Sequence, residues 1–255
     1  MALVETELHR GVMTITLADE EHRNTLGRRL TEELVAAFDV ADRSDEVRVV
    51  VLTNRGSVFC AGANLSERAD ASSSTPVSAI DPRTLFGRFR HSPKPYVGRI
   101  AGHCVAGGMG LAAALDIAVA ADDVMFGFTE VRVGVAPAMI SVVCLPKLRL
   151  VDAQSAFLRG NRFSAAEAAR MGLISAAVPA ARLDAEVDAV VTDLLAGGPH
   201  ALAAAKQLLA VVPTMAEDEA FDWTADLSAR LFAGDEAREG MAAYLAKRPA
   251  PWTGV

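Results

Sequence analysis

Residues 96–111 have the sequence YVGRIAGHCVAGGMGL, in which a short strand-like run is followed by a turn of small residues and then by further apolar sequence. The same order recurs after two other short apolar runs, Val47–Thr53 and Asp116–Ala120. Such continuously apolar runs are typical of strands that are buried on both faces of a parallel sheet and joined by crossover connections. The sequence therefore predicts an α/β fold with buried parallel strands.

The sequence on either side of these runs has a different character. Near the amino terminus, Val4–Leu8 and Val12–Leu17 predict a pair of strands, and Thr25–Arg43 has helical spacing of its leucines. Residues 68–81, which include the segment ASSSTP, are poor in apolar residues and predict a surface loop. After Pro146 the pattern becomes helical, with helices predicted over Val151–Leu158, Ser164–Met171, Leu183–Leu195, Ala201–Leu209 and Asp235–Lys247.

The composition argues against several classes of protein. Hydrophobic residues make up 51% of the 255, enough for a large core, but no uninterrupted apolar stretch reaches the length of about 18 residues that a membrane span needs. The net charge of −7 gives no general attraction to nucleic acid. Met1–Arg10 lacks the basic and apolar regions of a signal peptide, so a cytoplasmic protein is expected. The three cysteines, Cys60, Cys104 and Cys144, do not have the spacing of metal ligands. They are therefore predicted to be reduced residues that pack in the core, and no metal site is expected.

Two turns of small residues carry the candidate chemistry. Residues 59–65 (FCAGANL) and 100–111 follow predicted strands and have little side-chain bulk, so their backbone N–H groups can approach a ligand closely. The pair Gly107-Gly108 also opens an alanine-rich helix, whose amino end adds positive potential. Two such turns from neighbouring strands would form an oxyanion hole made of two amides. Close packing of a helix on a strand is the alternative explanation for either turn taken alone.

Together with a third segment, these turns resemble the crotonase (enoyl-CoA hydratase/isomerase) family of fatty acid and lipid metabolism. The resemblance runs in order from about Arg23 to Arg248. It implies a crotonase-like spiral of repeated ββα units with a helical C-terminal region. The segments that carry it are residues 59–65, residues 101–111 (AGHCVAGGMGL) and residues 126–137 (FGFTEVRVGVAP).

The resemblance also implies the activity of an enoyl-CoA hydratase, an enzyme that adds water across the 2,3 double bond of an acyl-CoA thioester. In the family, amides at the positions of Ala63 and Gly107 bind the thioester oxygen, and a carboxylate at the position of Glu130 moves a proton. Polarising a thioester carbonyl while a carboxylate handles a proton is a coherent pairing of electrostatic and acid/base catalysis. No cofactor is implied, because coenzyme A enters as part of the substrate.

Further residues match positions that hold coenzyme A in the family. An arginine that contacts the CoA phosphates in some members corresponds to Arg23, and an aromatic residue and a lysine offered by C-terminal helices, often from a neighbouring subunit, correspond to Tyr244 and Lys247. For both cations, a solvated surface position is the alternative interpretation. Positions that line the adenine pocket correspond to Ala61, Asn64 and Leu65.

The family likeness divides the chain into two regions. It implies a spiral core with the CoA thioester site over residues 1–196 and a helical oligomerisation region over residues 197–255. The predicted helix over Asp235–Lys247 has apolar residues on one face, which need a partner. A homotrimer or a dimer of trimers (a hexamer) is therefore expected, since the C-terminal helices of the family pack across subunits.

Two positions depart from the family pattern. Hydratases of the family usually carry two glutamates around the water, but the position of the first is Gly110 in this chain. A double-bond isomerase, which needs a single carboxylate, is therefore the alternative function. The run Glu130–Ser141 most resembles hydratases of branched or carboxylated acyl-CoAs, including the methylglutaconyl-CoA hydratase-like members, and it favours hydration. The second departure, Asn64 in place of the usual aspartate, keeps hydrogen-bonding capacity without the charge.

Three other functions have some support in these motifs. Residues 108–113 (GMGLAA) fit a dinucleotide-binding fingerprint, which would indicate an NAD-binding oxidoreductase. In that fold an acidic residue at the end of the next strand binds the ribose, but here the strand ends near Ala121 and Glu130 lies beyond it. A nucleophilic hydrolase is disfavoured because the sequence contains no G-x-S-x-G turn, and His103 is interpreted as a packing or loop residue. A non-catalytic acyl-CoA-binding protein is disfavoured because Glu130 is retained.

Overall fold

The computed structural model describes residues 2–70 and 81–253. Most of the predicted surface loop, residues 71–80, lies outside this range. The described part of the chain holds ten strands: β1 Val4–His9, β2 Val12–Leu17, β3 Val49–Asn54, β4 Val58–Cys60, β5 Tyr96–Ile100, β6 His103–Val105, β7 Ile117–Ala121, β8 Met125–Gly127, β9 Phe163–Ser164 and β10 Ala176–Val178.

Helices follow most of these strands and dominate the last third of the chain. The α-helices are α1 Arg28–Arg43, α2 Leu65–Asp70, α3 Arg88–His91, α4 Gly107–Ala114, α5 Ala138–Cys144, α6 Leu150–Arg159, α7 Ala165–Arg170, α8 Leu183–Ala196, α9 Pro199–Val211, α10 Glu217–Ala233 and α11 Asp235–Leu245. A π-helical turn covers Arg83–Gly87, and short 3₁₀ turns cover Glu130–Val133, Leu145–Lys147, Ala180–Arg182, Val212–Thr214 and Pro251–Thr253. The prediction of a helical C-terminal region is confirmed.

The strands form two sheets. The larger has the order β1-β2-β3-β5-β7-β10, in which β1 pairs antiparallel with β2 and every other pair is parallel. The smaller has the order β4-β6-β8-β9, and its first three strands are parallel. The three runs predicted as buried parallel strands are β3, β5 and β7, which are neighbours in the larger sheet and largely buried. That prediction is confirmed.

The repeating unit of the chain is a pair of strands that enters both sheets in turn. β3, β5 and β7 of the larger sheet are each followed, within a few residues, by a three-residue strand of the smaller sheet. β4 and β6 then lead into α2 and α4. Because β4, β6 and β8 lie side by side, the turns that follow them lie at one edge of the smaller sheet. This arrangement is the spiral of repeated ββα units that the family likeness implied.

The first helix begins later than its spacing predicted. Helical spacing starts at Thr25, but α1 begins at Arg28. The reason is that the backbone N–H of Leu26 donates to the oxygen of Gly62 at 2.7 Å, so the segment before the helix is paired with the turn after β4. The amino end of α1 is thereby held against the candidate site.

Hydrogen bonds join the C-terminal helices to the larger sheet. Arg48, just before β3, donates to the carbonyl oxygens of Gly197 at 2.7 Å and Trp252 at 3.0 Å. The Glu236 carboxylate of α11 accepts the first N–H groups of α9, from His200 at 2.9 Å and Ala201 at 2.8 Å. These bonds place α11 beside the amino end of β3. No helix in the described part of the chain is long and apolar enough to cross a membrane.

Candidate active site

The first turn of the site follows β4 and is fixed by backbone hydrogen bonds to residues 23–26. Ala61 N–H donates to Arg23 O at 3.1 Å, and Gly62 adopts a positive φ of 87° that favours glycine. The next residue, Ala63, is partly exposed. Within residues 2–70 and 81–253, its N–H donates to no protein acceptor. The turn therefore presents one fixed and free amide to a ligand.

The second turn follows β6 and opens α4. Ala106 has φ 49° and ψ −126°, a conformation that is costly for a residue with a side chain. It is held by Ala106 N–H, which donates to Gly127 O at 2.9 Å, and by Ala106 O, which accepts Met109 N–H at 2.9 Å. Gly107 is the first residue of the helix, so its N–H has no intrahelical acceptor and lies at the positive end of the helix dipole. This strained turn exposes a second amide.

The two turns touch each other. A Cβ atom added to Gly62 would lie 2.6 Å from Ala106 Cβ and 2.7 Å from Gly107 N, and one added to Gly107 would lie 3.6 Å from Ala63 N. Such contacts leave no room for side chains between the turns. The amides of Ala63 and Gly107 are thus adjacent, as an oxyanion hole requires.

Glu130 approaches the same region from the neighbouring strand. It is the first residue of the 3₁₀ turn that follows β8, and β8 is joined to the second turn through Gly127. The side chain is half-buried, and in the part of the chain that the structure describes its Oε2 has no hydrogen-bond partner. Burial raises the pKa of the Glu130 carboxyl, and a bond to its own backbone N–H offsets part of this rise. A half-buried carboxyl with a raised pKa and one oxygen, Oε2, without a partner among the described residues is a candidate for proton transfer.

The structure gives a physical reason for Gly110. A Cβ atom at this position would lie 2.4 Å from Ile140 Cγ2 and 3.0 Å from Phe86 Cε1. The space in which a second glutamate would begin is therefore filled by two apolar side chains. Helix α5, which carries Ile140, packs closely on α4. The site has one carboxylate at this point because its packing leaves no room for another.

Four of the residues expected to bind CoA lie around the first turn. Arg23 and Leu65 are exposed, and Ala61 is partly exposed. The Asn64 Oδ1 accepts the N–H groups of Ser66 at 3.1 Å and Glu67 at 3.3 Å, so this side chain caps α2. An asparagine performs this capping as an aspartate would, which accounts for the departure from the family pattern.

Tyr244 and Lys247 are the other two residues expected to bind CoA. The contacts that hold α11 in place do not bring them to the two turns. Tyr244 is 84% exposed, and Lys247 lies just past the helix end with a φ of 53°. The helix begins at Asp235, as predicted, with Gly234 at the N-cap position. In the described part of a single chain, no hydrogen bond or ion pair joins Tyr244 or Lys247 to the two turns.

The rival motifs have structural explanations. His103 Nδ1 accepts the N–H of Met125 at 3.0 Å, so this histidine is a packing residue. Gly108 lies inside α4 against Cys60, where a Cβ atom would be 2.4 Å from the carbonyl oxygen. The cysteines are free and buried, and burial raises the pKa of both Cys60 and Cys144 to about 12. Among the described residues, no cluster could hold a metal ion.

One residue that positions the site was not singled out from the sequence. Asn24 is fully buried with a φ of 51°, and its Nδ2 donates to Val58 O at 2.7 Å while its Oδ1 accepts Asp19 N–H at 2.8 Å. These bonds hold the segment at Arg23 against β4. The available signal was the residue type, since asparagine tolerates left-handed backbone and bonds to nearby backbone groups.

The half-buried carboxyl of Glu130 should reduce the stability of the fold at neutral pH. A carboxyl whose pKa is raised in the folded state binds its proton more tightly there, so stability falls as the pH rises from the unfolded-state value of about 4.3 through the raised pKa. Glu130→Gln should therefore have a higher Tm than the parent protein at pH 8. Thermal unfolding at a series of pH values tests this, and the difference should vanish towards pH 4. An equal difference at both ends would contradict the assignment.

Comparisons with known proteins agree with one another. A model of the enoyl-CoA hydratase/isomerase family matches residues 7–255. A Thermus thermophilus protein that is assigned as an enoyl-CoA hydratase is 32% identical over 242 residues, covering 93% of this chain and 96% of that one. A mevalonyl-coenzyme A hydratase from Aspergillus fumigatus is 30% identical over 248 residues, covering 94% and 91%. The crystal structure of an enoyl-CoA hydratase from Mycobacterium smegmatis is similar with a TM-score of 0.86, at 29% identity and 98% coverage of both chains.

Proposed function

The chain belongs to the enoyl-CoA hydratase/isomerase (crotonase) family, and on this premise we propose that it hydrates the 2,3 double bond of an enoyl-CoA thioester with a single glutamate. The observation that carries the proposal is the pairing of two adjacent, partly exposed amides, those of Ala63 and Gly107, with the half-buried carboxyl of Glu130, whose Oε2 has no partner among the described residues. The amides supply a place for a thioester oxygen, and the carboxyl supplies a group that can carry a proton.

The proposed reaction assigns each group one task. The N–H groups of Ala63 and Gly107 donate to the thioester oxygen and stabilise the negative charge that develops on it. Glu130 accepts a proton from water while the water oxygen bonds to C3 and the double bond opens. The same carboxyl then gives a proton to C2. The net result is addition of one water, with no cofactor other than the coenzyme A that the substrate carries.

The mass of the product tests this function. Incubation with a panel of enoyl-CoA thioesters should give products heavier by one water. The packing at Gly110 favours one alternative, because a single carboxylate suffices for moving a proton between C2 and C4 in a double-bond isomerisation. Products of unchanged mass but altered double-bond position across the panel would replace hydration by that alternative.

The proposal also places the coenzyme A moiety. Its adenine and phosphates would lie along the first turn beside Ala61, Asn64, Leu65 and Arg23, at the same edge as the thioester oxygen. Arg23 is exposed at this edge, where a cation can pair with phosphate. Tyr244 and Lys247 would come from a neighbouring subunit, because their own helix docks beside the amino end of β3.

We propose that residues 197–255 form the oligomerisation region and that the protein is a homotrimer or a dimer of trimers. Several large apolar side chains of α10 and α11 are exposed in the single chain: Phe221 at 67%, Phe232 at 67%, Tyr244 at 84% and Leu245 at 81%. Exposed apolar area of this kind is typical of surfaces that another chain covers. The proposed compartment is the cytoplasm.

Light scattering tests the assembly. A trimer or hexamer is expected at micromolar concentration, and Leu245→Glu should weaken it because it would bury a charge in an apolar interface. Glu7→Gln, at an exposed strand position, serves as the control. A stable monomer for the unaltered chain would contradict the proposal.

A further inference from the structure

The packing over Gly110 lies on the face of α4 that carries the second amide. Gly110 is three residues after Gly107, so both positions lie on one side of the helix. A Cβ atom at Gly110 would meet Ile140 Cγ2 at 2.4 Å and the edge of Phe86 at 3.0 Å. Ile140 and Phe86 are themselves buried, with 3% and 6% of their surface exposed. A wall of two hydrocarbon side chains therefore stands one helical turn from the proposed oxyanion hole.

This wall also adjoins the proposed acid/base. Ile140 and Cys144 are four residues apart on α5, and both are buried towards α4, where Cys144 Sγ contacts Met109 O at 3.7 Å. Burial raises the pKa of the Cys144 thiol, and the nearby charge of Glu130 raises it further. Glu130 thus lies beside the same contact between α4 and α5. Ile140 therefore meets α4 at Gly110, one turn of α5 before Cys144 and one turn of α4 after the second amide.

We propose that Ile140, with Phe86 beside it, is the specificity-determining wall of the acyl pocket. It limits the size of the acyl group beside Glu130 and selects a hydrocarbon substituent at that point. This inference rests on the proposed function, because it assigns the acyl carbons of an enoyl-CoA to the space beside Glu130. Both side chains that meet Gly110 are apolar, so a charged group placed there would lose hydration without gaining a partner from them.

The test compares Ile140→Ala with the parent protein on two substrates of different size. The substitution removes three carbon atoms from the wall. Hydration of 2-octenoyl-CoA and crotonyl-CoA is measured, and the ratio of kcat/KM for the longer to the shorter substrate should rise by about tenfold, the low end of what one methylene is worth in an apolar pocket. Val142→Ala, on the same helix but 75% exposed, is the matched control and should leave the ratio unchanged.

A second pair of variants tests the contact itself. Gly110→Ala should lower kcat/KM for crotonyl-CoA, because its Cβ atom meets Ile140. Adding Ile140→Ala should recover part of that loss, so that the two substitutions are not additive. Thermal unfolding of each variant shows that it folds. If Ile140→Ala does not fold, Ile140→Val should shift the ratio in the same direction by less.

The outcomes separate this inference from the proposed function. Absence of hydration in the parent protein would remove the function, and the wall would then be tested by calorimetry with butyryl-CoA and octanoyl-CoA, for which Ile140→Ala should favour the longer ligand. An active parent whose substrate ratio moves equally in Ile140→Ala and Val142→Ala would overturn the inference alone. A raised ratio in Ile140→Ala only, with recovery in the double variant, would support it.

Discussion

Glu130→Gln is expected to lower kcat by about 10² to 10⁴-fold, the usual worth of a positioned proton-transfer group, while acyl-CoA affinity stays near the parent value. The amide keeps the shape of the side chain but cannot take a proton from water. Ala63 and Gly107, which would hold the thioester, are unchanged. Steady-state kinetics with an enoyl-CoA and calorimetry with a saturated acyl-CoA measure the two effects separately.

The pH profile gives the same prediction an independent check. Glu130 must be ionised to act as a base, and burial raises its pKa. In the parent enzyme, kcat/KM should therefore fall on the acid side with an inflection above the ordinary glutamate value of about 4.3. The residual activity of Glu130→Gln should lack that limb. The control is Glu7→Gln at an exposed position, and a fully active Glu130→Gln enzyme would refute the assignment.

Gly62→Ala is expected to lower kcat by about 10² to 10³-fold, the effect of losing an oxyanion-hole donor. The added Cβ atom would lie 2.6 Å from Ala106 Cβ and 2.7 Å from Gly107 N, and the residue would also have to keep a φ of 87°. Because backbone on both sides of the contact must move, the amides of Ala63 and Gly107 can no longer hold one oxygen together. Hydration kinetics measure the loss.

A matched glycine separates strain from distortion of the site. Gly56 also has a positive φ, of 73°, but the three atoms nearest its added Cβ atom would all belong to the flexible Glu20 side chain and not to backbone. Gly56→Ala should therefore reduce stability without a comparable loss of kcat. Equal losses in the two variants would indicate that general strain, and not the paired amides, limits activity.

The sequence predicted those parts of the fold and site that depend on local pattern. β3, β5 and β7 are continuous apolar runs, and each site turn is a cluster of small residues next to such a run. Glu130 was found through the family likeness and not by periodicity. In each case a few neighbouring residues in the chain contain the information.

Other features depend on contacts between distant parts of the chain. β4, β6 and β8 have three residues each, too few to show the alternation that identifies a strand. The position of Ile140 over Gly110 joins residues 30 apart in the chain, and no local pattern predicts it. The late start of α1 likewise follows from the bond between Leu26 and Gly62. Such tertiary contacts override local propensity.

Glu130 is proposed to be the only carboxylate that activates water for addition to the enoyl-CoA. Incubating the parent enzyme and Glu130→Gln with the same enoyl-CoA in ¹⁸O-labelled water, and following product mass over time, tests it most directly. The parent enzyme is expected to form a labelled hydroxyacyl-CoA, and Glu130→Gln should form it at least about 10²-fold more slowly. An unlabelled product of unchanged mass from the parent enzyme, or equal rates of labelling by both enzymes, would contradict it.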